Sequence, residues 1–441
     1  MARQSQKQRA TVFQFTTKYF GDGSETLSCP LALIHYATWN CRSRSVDADT
    51  GVQRRAFQTM ESRMRKAVRT LLLVALATSV VSTTRSNAQD QYSNSKHAIF
   101  VMTNAVERNE VICFQREADG SLREAHSFAT GGRGTGGGTD PLESQGSLTL
   151  SQDRSLLFAV NGGSSEISVF LVHGSDLSLS DKVVSGGAEP NAVAQHGSLV
   201  YVLNVGGSSN VVGFKVHAGG RLKQIPNSTR FLTTNNSEAA SLAFSPDGQF
   251  LLVTERATNN IDVFRVQADG TLGPIVVNHS PNPGAFSVTF APNGAALVSE
   301  TGPAGGNDAS TISSYSVLAN GTVFSIGAAV PTLGNANCWN AVTPDGRWVY
   351  VSNAASSTIS GFTIGAAGTL TPIGPTVVGT NPSGSTNLDI TVSADGKFVY
   401  TLNSGTGTIG IFAIQQDGTL NSLGEGTGLS AVAGFNGIAA N

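Results

Sequence analysis

Four carboxylates and one arginine stand beside short apolar runs in the second half of the chain. Glu238 and Asp389 lie near the start of such runs, Glu255 and Glu300 close them, and Arg256 follows Glu255 directly. A carboxylate can take the proton of a water that attacks an ester carbonyl, and an arginine can stabilise the resulting oxyanion. These residues predict ester chemistry, with Glu300 as the general base and Arg256 as its electrostatic partner. An ion pair or a solvated loop carboxylate is an equally good explanation for either residue.

The strand ends that carry these groups recur at a regular spacing. In each repeat an Asn or its replacement closes the second strand, an aromatic residue centres the third, and Asp-Gly or Asn-Gly steps mark tight turns. The pairs are Asn104/Phe114, Asn161/Phe170, Asn204/Phe214, Glu255/Phe264, Thr301/Tyr315, Asn353/Phe362 and Asn403/Phe412. Repeats of roughly 40 to 50 residues, each with four short strands, predict an all-β fold, the seven-bladed β-propeller with four antiparallel strands per blade.

The two ends of the repeat region complete each other. Residues 97–104 have the pattern of a second strand, whereas residues 433–440 copy the first-strand pattern of residues 190–194. We therefore predict that the C-terminal strand pairs with the N-terminal blade, which closes the ring and removes its exposed edges. Residues 97–441 then form one propeller domain.

The residues before the repeats have a different character. Residues 1–63 match no repeat, and we interpret them as a spurious or disordered extension. Residues 64–88 contain a positive segment, an apolar core and a small-x-small cleavage site at 86–88, which is typical of a secretory signal peptide. Residues 89–96 are a linker. The apolar core is too short to span a membrane. We expect export to the periplasm or the extracellular space.

Composition narrows the possible partners. The 441 residues have a net charge of −2 and only 13% charged residues, and the repeats contain no run of Lys or Arg, so a nucleic-acid surface is not expected. Cys113 and Cys338 lie in distant repeats, which favours two buried free thiols. The histidines do not recur at equivalent positions, so we expect no zinc site and no cofactor, with Ca²⁺ in the channel an open alternative. We expect a monomer.

A ring of polar side chains begins the first strands of the blades. The loops before first strands and after second strands gather at one end of a propeller channel, which we call the mouth. The ring consists of Ser147, Asn191, Ser241, Ser287, Asn340, Asn387 and Asn436. With Glu238 and Asp389 it could bind an oxygen-rich small molecule, but satisfaction of strand-end backbone groups is the favoured alternative. Residues 131–138 are glycine-rich but lack the Lys-Ser/Thr of a phosphate loop, and we expect a flexible outer loop.

Several phrases resemble a known family. Residues 244–250 (FSPDGQF), 290–294 (FAPNG), 338–340 (CWN) and the YVTN-type repeat at 349–353 (VYVSN) are similar to the lactonase-like seven-bladed propellers. That family includes the cycloisomerase-type 6-phosphogluconolactonases and the fungal 3-carboxymuconate lactonizing enzyme. The resemblance covers residues 97–441. It implies a small-molecule ligand, a lactone or sugar acid, and hydrolysis of a lactone or sugar-acid ester.

The functional positions of the family are only partly kept. Ala240 stands where the family has His, residues 285–287 replace its Pro-Arg-His, and Ala354 replaces the Arg of its Ser-Asn-Arg. Glu300 lies close to the family's Glu, and Arg256 could replace a lost arginine. The sequence thus leaves two hypotheses, a lactone hydrolase and a propeller that binds a ligand or a protein partner without catalysis.

Overall fold

The computed structural model describes residues 97–441. The signal peptide, the linker and the N-terminal extension lie outside the described residues. The strands are β1 (Ala98–Met102), β2 (Glu110–Arg116), β3 (Leu122–Ala129), β4 (Leu148–Leu150), β5 (Leu156–Asn161), β6 (Glu166–His173), β7 (Asp176–Val184), β8 (Ala188–His196), β9 (Leu199–Gly206), β10 (Asn210–His217), β11 (Arg221–Gln224), β12 (Arg230–Phe231), β13 (Ala239–Phe244), β14 (Phe250–Glu255), β15 (Asn260–Val266), β16 (Leu272–His279), β17 (Ala285–Phe290), β18 (Ala296–Glu300), β19 (Thr311–Val317), β20 (Val323–Pro331), β21 (Asn337–Val342), β22 (Trp348–Asn353), β23 (Thr358–Ile364), β24 (Leu370–Thr380), β25 (Asn387–Val392), β26 (Phe398–Asn403), β27 (Thr408–Ile414), β28 (Leu420–Gly426) and β29 (Asn436–Ala440).

These strands form seven antiparallel sheets, the blades. Blade 1 has the order β29-β1-β2-β3, and blades 2 to 7 follow in chain order from β4, β8, β13, β17, β21 and β25, which are their innermost strands. Blade 3 also carries the short β12 against β10. The predicted seven-bladed propeller, and its closure by the C-terminal strand, are confirmed. Within residues 97–441 no helix is long and apolar enough to cross a membrane.

The Asp-Gly steps make the turns that their chemistry predicts. In blade 6, Asp345 Oδ1 accepts hydrogen bonds from the Thr343 hydroxyl at 2.7 Å and from the Arg347 N–H at 3.1 Å. Gly346 follows with φ +70°, a conformation that favours glycine. The Gly346 N–H then donates to the Thr343 carbonyl at 2.8 Å. Because these bonds are local, the turn and the strand register follow from a few neighbouring residues.

The core lies between neighbouring blades. Second strands such as β14, β22 and β26 are buried along their whole length, since each is covered by a blade on both sides. Tyrosines on second strands cross from one blade to the next: the hydroxyls of Tyr201, Tyr350 and Tyr400 donate to the carbonyls of Gly270, Gly418 and Gly120 at 2.7, 2.8 and 3.0 Å. The last of these bonds joins blade 7 to blade 1, as does the Arg116–Asp395 ion pair at 2.9 Å.

Strand pairing corrects one position in the repeat. In blade 5 the residue opposite the start of the first strand is Glu300, which pairs with Ala285, just as Asn353 pairs with Asn337 in blade 6. Glu300, rather than Thr301, therefore occupies the position of the recurring Asn. The loop between the second and third strands of this blade is long, since β18 ends at Glu300 and β19 begins at Thr311.

Candidate functional site

The mouth holds a large cavity. It measures about 820 Å³ and lies between blades 4, 5 and 6, with Glu238, Arg256 and Cys338 in its wall and residues 302–307 of the blade 5 loop at its rim. A second cavity of about 390 Å³ adjoins it and is also lined by Glu238. Both fall in the size range of sites for small molecules.

The connection between β3 and β4 crosses the mouth and closes the channel beneath these cavities. We call its residues 140–146 the plug. The Gln145 side chain makes two hydrogen bonds to the backbone of Asn340. Its Oε1 accepts from the N–H at 3.1 Å, and its Nε2 donates to the carbonyl at 2.8 Å. The backbone N–H of Gln145 donates to the Ala240 carbonyl at 2.9 Å. The plug thus links blades 6 and 4 across the channel.

A buried aromatic pair supports the plug from below. The Trp339 ring is fully buried and packs edge-on against Phe286, with ring centroids 5.0 Å apart. Its indole N–H donates to the Ser144 carbonyl at 2.9 Å, and the Ser144 hydroxyl donates to the Asn191 carbonyl at 2.8 Å. The channel axis is therefore filled by protein at this level.

The glycine-rich residues 131–138 belong to the same connection, and they are not the flexible outer loop that the sequence predicts. The N–H groups of Gly134 and Gly136 donate to the carbonyls of Ala105 and Asn104 at 2.8 and 2.9 Å. A Cβ at Gly134 would lie 2.1 Å from the Asn104 backbone. Glycine is required here because the loop runs directly against the end of blade 1's second strand.

Arg256 is the cationic centre of the mouth. Its Nε donates to Glu238 Oε2 at 2.9 Å, and its Nη2 contacts both Glu238, at 2.8 Å, and Glu143 of the plug. Burial by itself lowers the pKa of Arg256, but the two carboxylates outweigh it and raise the pKa above its usual value. Among residues 97–441, Nη1 has no hydrogen-bond partner. This leaves guanidinium donors for an oxygen of a ligand.

Two further carboxyls accompany this ion cluster, the half-buried Asp140 and the buried Asp389. Asp140 Oδ1 accepts from Asn436 Nδ2 at 3.0 Å, and burial raises the pKa of Asp140 to about 6. Asp389 accepts the backbone N–H groups of Ile390 and Ile438 at 2.8 and 3.0 Å, and burial raises its pKa to about 7. Asp389 faces the channel below the plug, where it lines a cavity of about 330 Å³ with Asn340.

The backbone is left-handed at all four carboxylates of this region. The φ angles are +49° at Asp140, +44° at Glu143, +49° at Glu238 and +57° at Asp389. Such a conformation is costly for residues with a side chain and collects at functional sites. The left-handed conformation of Glu238 also has a structural reason, because Glu189, near the start of the first strand of blade 3, has a positive φ as well.

Glu300 lies away from the mouth cavities. Its side chain has no exposed surface, Oε1 accepts from the Ser280 hydroxyl at 2.7 Å, and Oε2 accepts from the Thr311 hydroxyl at 2.6 Å. Burial raises its pKa. Glu300 thus ties the second strand of blade 5 to the connection from blade 4, the task that Asn performs in other blades.

Glu255 has the same kind of environment in blade 4. It accepts the backbone N–H of Thr233 at 3.0 Å, the Thr258 hydroxyl at 2.6 Å and Asn260 Nδ2 at 3.0 Å. Burial by itself raises its pKa, but the donors outweigh it and lower the pKa. Asp262 lies beside it on β15 with no donor to its carboxyl oxygens among residues 97–441. Burial, followed by the charge of Glu255, raises the pKa of Asp262 to about 9.

The ring of first-strand Asn and Ser is used within the fold. Asn340 Nδ2 donates to the hydroxyls of Ser287 and Ser299 at 2.8 and 2.9 Å, and Asn387 Nδ2 donates to Ser352 at 2.6 Å. Ser147 and Ser241 are buried likewise. These contacts fit the alternative given above, in which the ring side chains satisfy polar groups at the strand ends instead of binding a ligand.

Two further members of the ring lie close to the mouth. Asn191 lines the smaller mouth cavity, although its Nδ2 donates to the Ala239 carbonyl at 2.8 Å. Asn436 holds the plug through Asp140. Of the predicted site residues, the structure thus brings Glu238, Arg256 and Asn191 together around the mouth cavities.

Sequence reasoning missed the plug. Asp140, Glu143 and Gln145 lie outside the repeat. Cys338 is the buried free thiol that the sequence predicts, but its place in the wall of the larger mouth cavity was not foreseen. The one available signal was the length of the connection 130–147 compared with 381–386 between β24 and β25.

Within the described residues, no three His, Cys, Asp or Glu side chains are arranged so that they could hold a metal ion.

Comparisons with known proteins agree with this architecture. The family model described as "Lactonase, 7-bladed beta-propeller" matches residues 207–317 and 341–427. Comparison with curated proteins gives no sequence match.

Solved structures share the fold. A periplasmic gluconolactonase from Pseudomonas aeruginosa is 19% identical, with 78% of this chain and 98% of that chain covered and a TM-score of 0.58. A Lactobacillus plantarum protein is 19% identical, with 78% and 99% covered and a TM-score of 0.60. A Bacteroides uniformis protein, provisionally described as a 6-phosphogluconolactonase, is 18% identical, with 78% and 100% covered and a TM-score of 0.58. At these identities the likeness concerns the fold alone. The seven closed blades make this chain a seven-bladed β-propeller, and the partial family match makes it similar to the lactonase propellers.

Proposed function

We propose that the mouth binds a small oxygen-rich lactone, such as a sugar-acid lactone, and opens it by hydrolysis. The observation that carries this proposal is the shared wall of the 820 Å³ cavity, where the Glu238 carboxylate and the Arg256 guanidinium stand side by side. The family match and the shared fold of the Pseudomonas aeruginosa gluconolactonase favour the same chemistry.

The proposed step uses Glu238 as the general base. A water in the cavity gives a proton to the Glu238 carboxylate as its oxygen bonds to the lactone carbonyl carbon. Arg256 donates to the oxyanion, so charge that develops in the transition state meets a fixed cation. When the oxyanion collapses, the ring C–O bond breaks and the alkoxide takes the proton from Glu238. The product is an open hydroxy acid.

Glu238 replaces Glu300 in this role because a base must reach the attacking water. The Glu238 side chain is 53% exposed, whereas Glu300 is enclosed and accepts two hydroxyl donors. The two glutamates therefore form a matched pair for mutation. We expect Glu238→Gln to lower turnover by roughly 10² to 10⁴ and Glu300→Gln to leave it near the wild-type level.

The assay is hydrolysis of a panel of sugar lactones and aliphatic lactones, with folding checked by circular dichroism. A loss of turnover in Glu300→Gln with none in Glu238→Gln would return the base to Glu300. Arg256→Lys keeps the charge but loses the planar fork, so we expect its effect chiefly in KM.

A second candidate function is ligand binding without catalysis. Ala240 and Ala354 stand where the resemblance implies His and Arg, and Arg256 is already paired with two carboxylates. Absence of hydrolysis across the whole panel, together with a ligand that co-purifies with the protein, would decide for this alternative.

The proposal also includes export and a monomeric state. Export is supported by the order of charged, apolar and small residues in 64–88. Mature protein from the native host is expected to begin near Gln89, and an intact Met1 in a cytoplasmic fraction would contradict export. Sedimentation of the mature chain tests the monomer.

A further inference from the structure

The plug places a carboxylate on the arginine of the mouth. Glu143 comes from the connection between blades 1 and 2, whereas Arg256 and Glu238 flank strands of blade 4. Glu143 contacts Arg256 Nη2, the nitrogen that also contacts Glu238. One guanidinium is therefore shared by two carboxylates from different parts of the chain.

Charge and position distinguish the two carboxylates. The three groups carry a net charge of −1 when both glutamates are ionised, so their combined charge opposes the binding of a further anion unless one of the two glutamates is displaced. Glu238 is fixed at the start of the blade, next to β13, and lines both mouth cavities. Glu143 sits on the plug, outside any strand, and lines only the smaller of the two cavities. Glu143 is thus the partner that can leave.

We propose that Glu143 is a tethered carboxylate that occupies the anion-binding position of Arg256 and is displaced there by the carboxylate of a polyhydroxylated monocarboxylic acid. This inference rests on the proposed role of the mouth as a ligand site, but not on hydrolysis. An exposed ion pair is weak and easily exchanged, whereas a ligand carboxylate with hydroxyl groups can add contacts in the cavity. The tether acts as a competitor at high effective concentration.

Displacement has a structural consequence. Glu143 lines the 390 Å³ cavity, Arg256 lines the 820 Å³ cavity, and Glu238 lines both. Glu143 therefore stands at their boundary. A ligand carboxylate that takes its place on Arg256 would have both spaces available for its hydroxylated chain.

The test compares ligands with and without a carboxylate. Gluconate and sorbitol have matching hydroxyl chains, and only gluconate carries the anion. Isothermal titration calorimetry with Glu143→Gln is expected to show at least about tenfold tighter gluconate binding than wild type, since the tethered competitor is neutral. Sorbitol affinity is expected to stay unchanged.

Glu189→Gln is the matched control. Glu189 is also exposed and left-handed at the start of a first strand, but it lines a different cavity and does not contact Arg256. We expect wild-type gluconate affinity in this variant and loss of gluconate binding in Arg256→Gln. Equal or weaker gluconate binding by Glu143→Gln, or no gluconate binding by either protein at millimolar concentration, would overturn the inference. Because binding is read without turnover, failure of hydrolysis is a separate result.

Discussion

Removal of the C-terminal strand tests how the ring is held together. A chain that ends at Ser430 lacks β29, whose residues are all buried, and leaves β1 with an unpaired edge. It also loses the N–H of Ile438 that Asp389 accepts, and the bond from the Asn441 N–H to the Ala98 carbonyl at 2.9 Å. Blade 1 would then keep three strands.

The size of the effect follows from the side chains removed. Phe435 and Ile438 are 7% and 4% exposed. Burial of each contributes about 1.5 to 3 kcal/mol, so the truncation costs about 3 to 6 kcal/mol before any hydrogen bond is considered. Folded domains are stable by about 5 to 15 kcal/mol, so most of the stability would be lost. We expect the Tm to fall by on the order of 10 °C, with a broader transition.

The assay is thermal unfolding followed by circular dichroism, with a circular permutant as the control. His97 Nδ1 lies 3.3 Å from the Asn441 carbonyl oxygen, so a short turn can join the two ends. New ends between Ala304 and Gly305 fall in the exposed blade 5 loop. The permutant retains β29 and should melt close to the wild-type chain. A truncated protein with an unchanged Tm would refute the argument that the ring depends on this strand.

Three further predictions concern buried polar groups. Burial raises the pKa of Asp389 to about 7, so the stability that this group contributes is fully present below the ordinary carboxyl pKa near 4 and is lost as pH rises through 7. The urea midpoint of Asp389→Asn should therefore depend less on pH between these two values than the midpoint of the wild type does. Asp262→Ser introduces the residue that blades 2, 5 and 6 carry at this position, and it removes a buried carboxyl that accepts no hydrogen bond from residues 97–441. We expect it to raise the free energy of unfolding in urea by about 1 to 3 kcal/mol, and a lower urea midpoint would contradict this. Trp339→Phe loses the hydrogen bond to the Ser144 carbonyl, so it should destabilise the protein by about 1 to 3 kcal/mol and speed amide hydrogen exchange in the plug. Unchanged exchange in the plug would show that Trp339 does not hold it in place.

The fold could be predicted from the sequence because its signals are local. An Asp-Gly turn such as Asp345-Gly346 is determined by hydrogen bonds among a few residues, and the same few residues recur in later blades. The closing strand was visible because residues 433–440 copy a first-strand pattern. Sequence reasoning also recognised Glu238 and Arg256 as mouth residues, since their places in the repeat put them at its ends.

The direction of side chains at the strand ends required the tertiary structure. Most first strands carry a left-handed residue near their start and a shift of register, as between Ala239 and Ser241 in blade 4. Such a bulge changes which face a side chain occupies. A two-residue periodicity does not contain this information, so Glu300 was expected at the mouth although its carboxylate is enclosed between strands.

The plug was beyond sequence reasoning for a different reason. Glu143 and Gln145 belong to no repeat, and their partners Arg256 and Asn340 are far away in the chain. The sequence by itself determined the blades, their number and their closure, because neighbouring residues carry those instructions. Only the closed ring decided which charged groups meet, because a loop that crosses the channel contacts whatever the distant blades place at its centre.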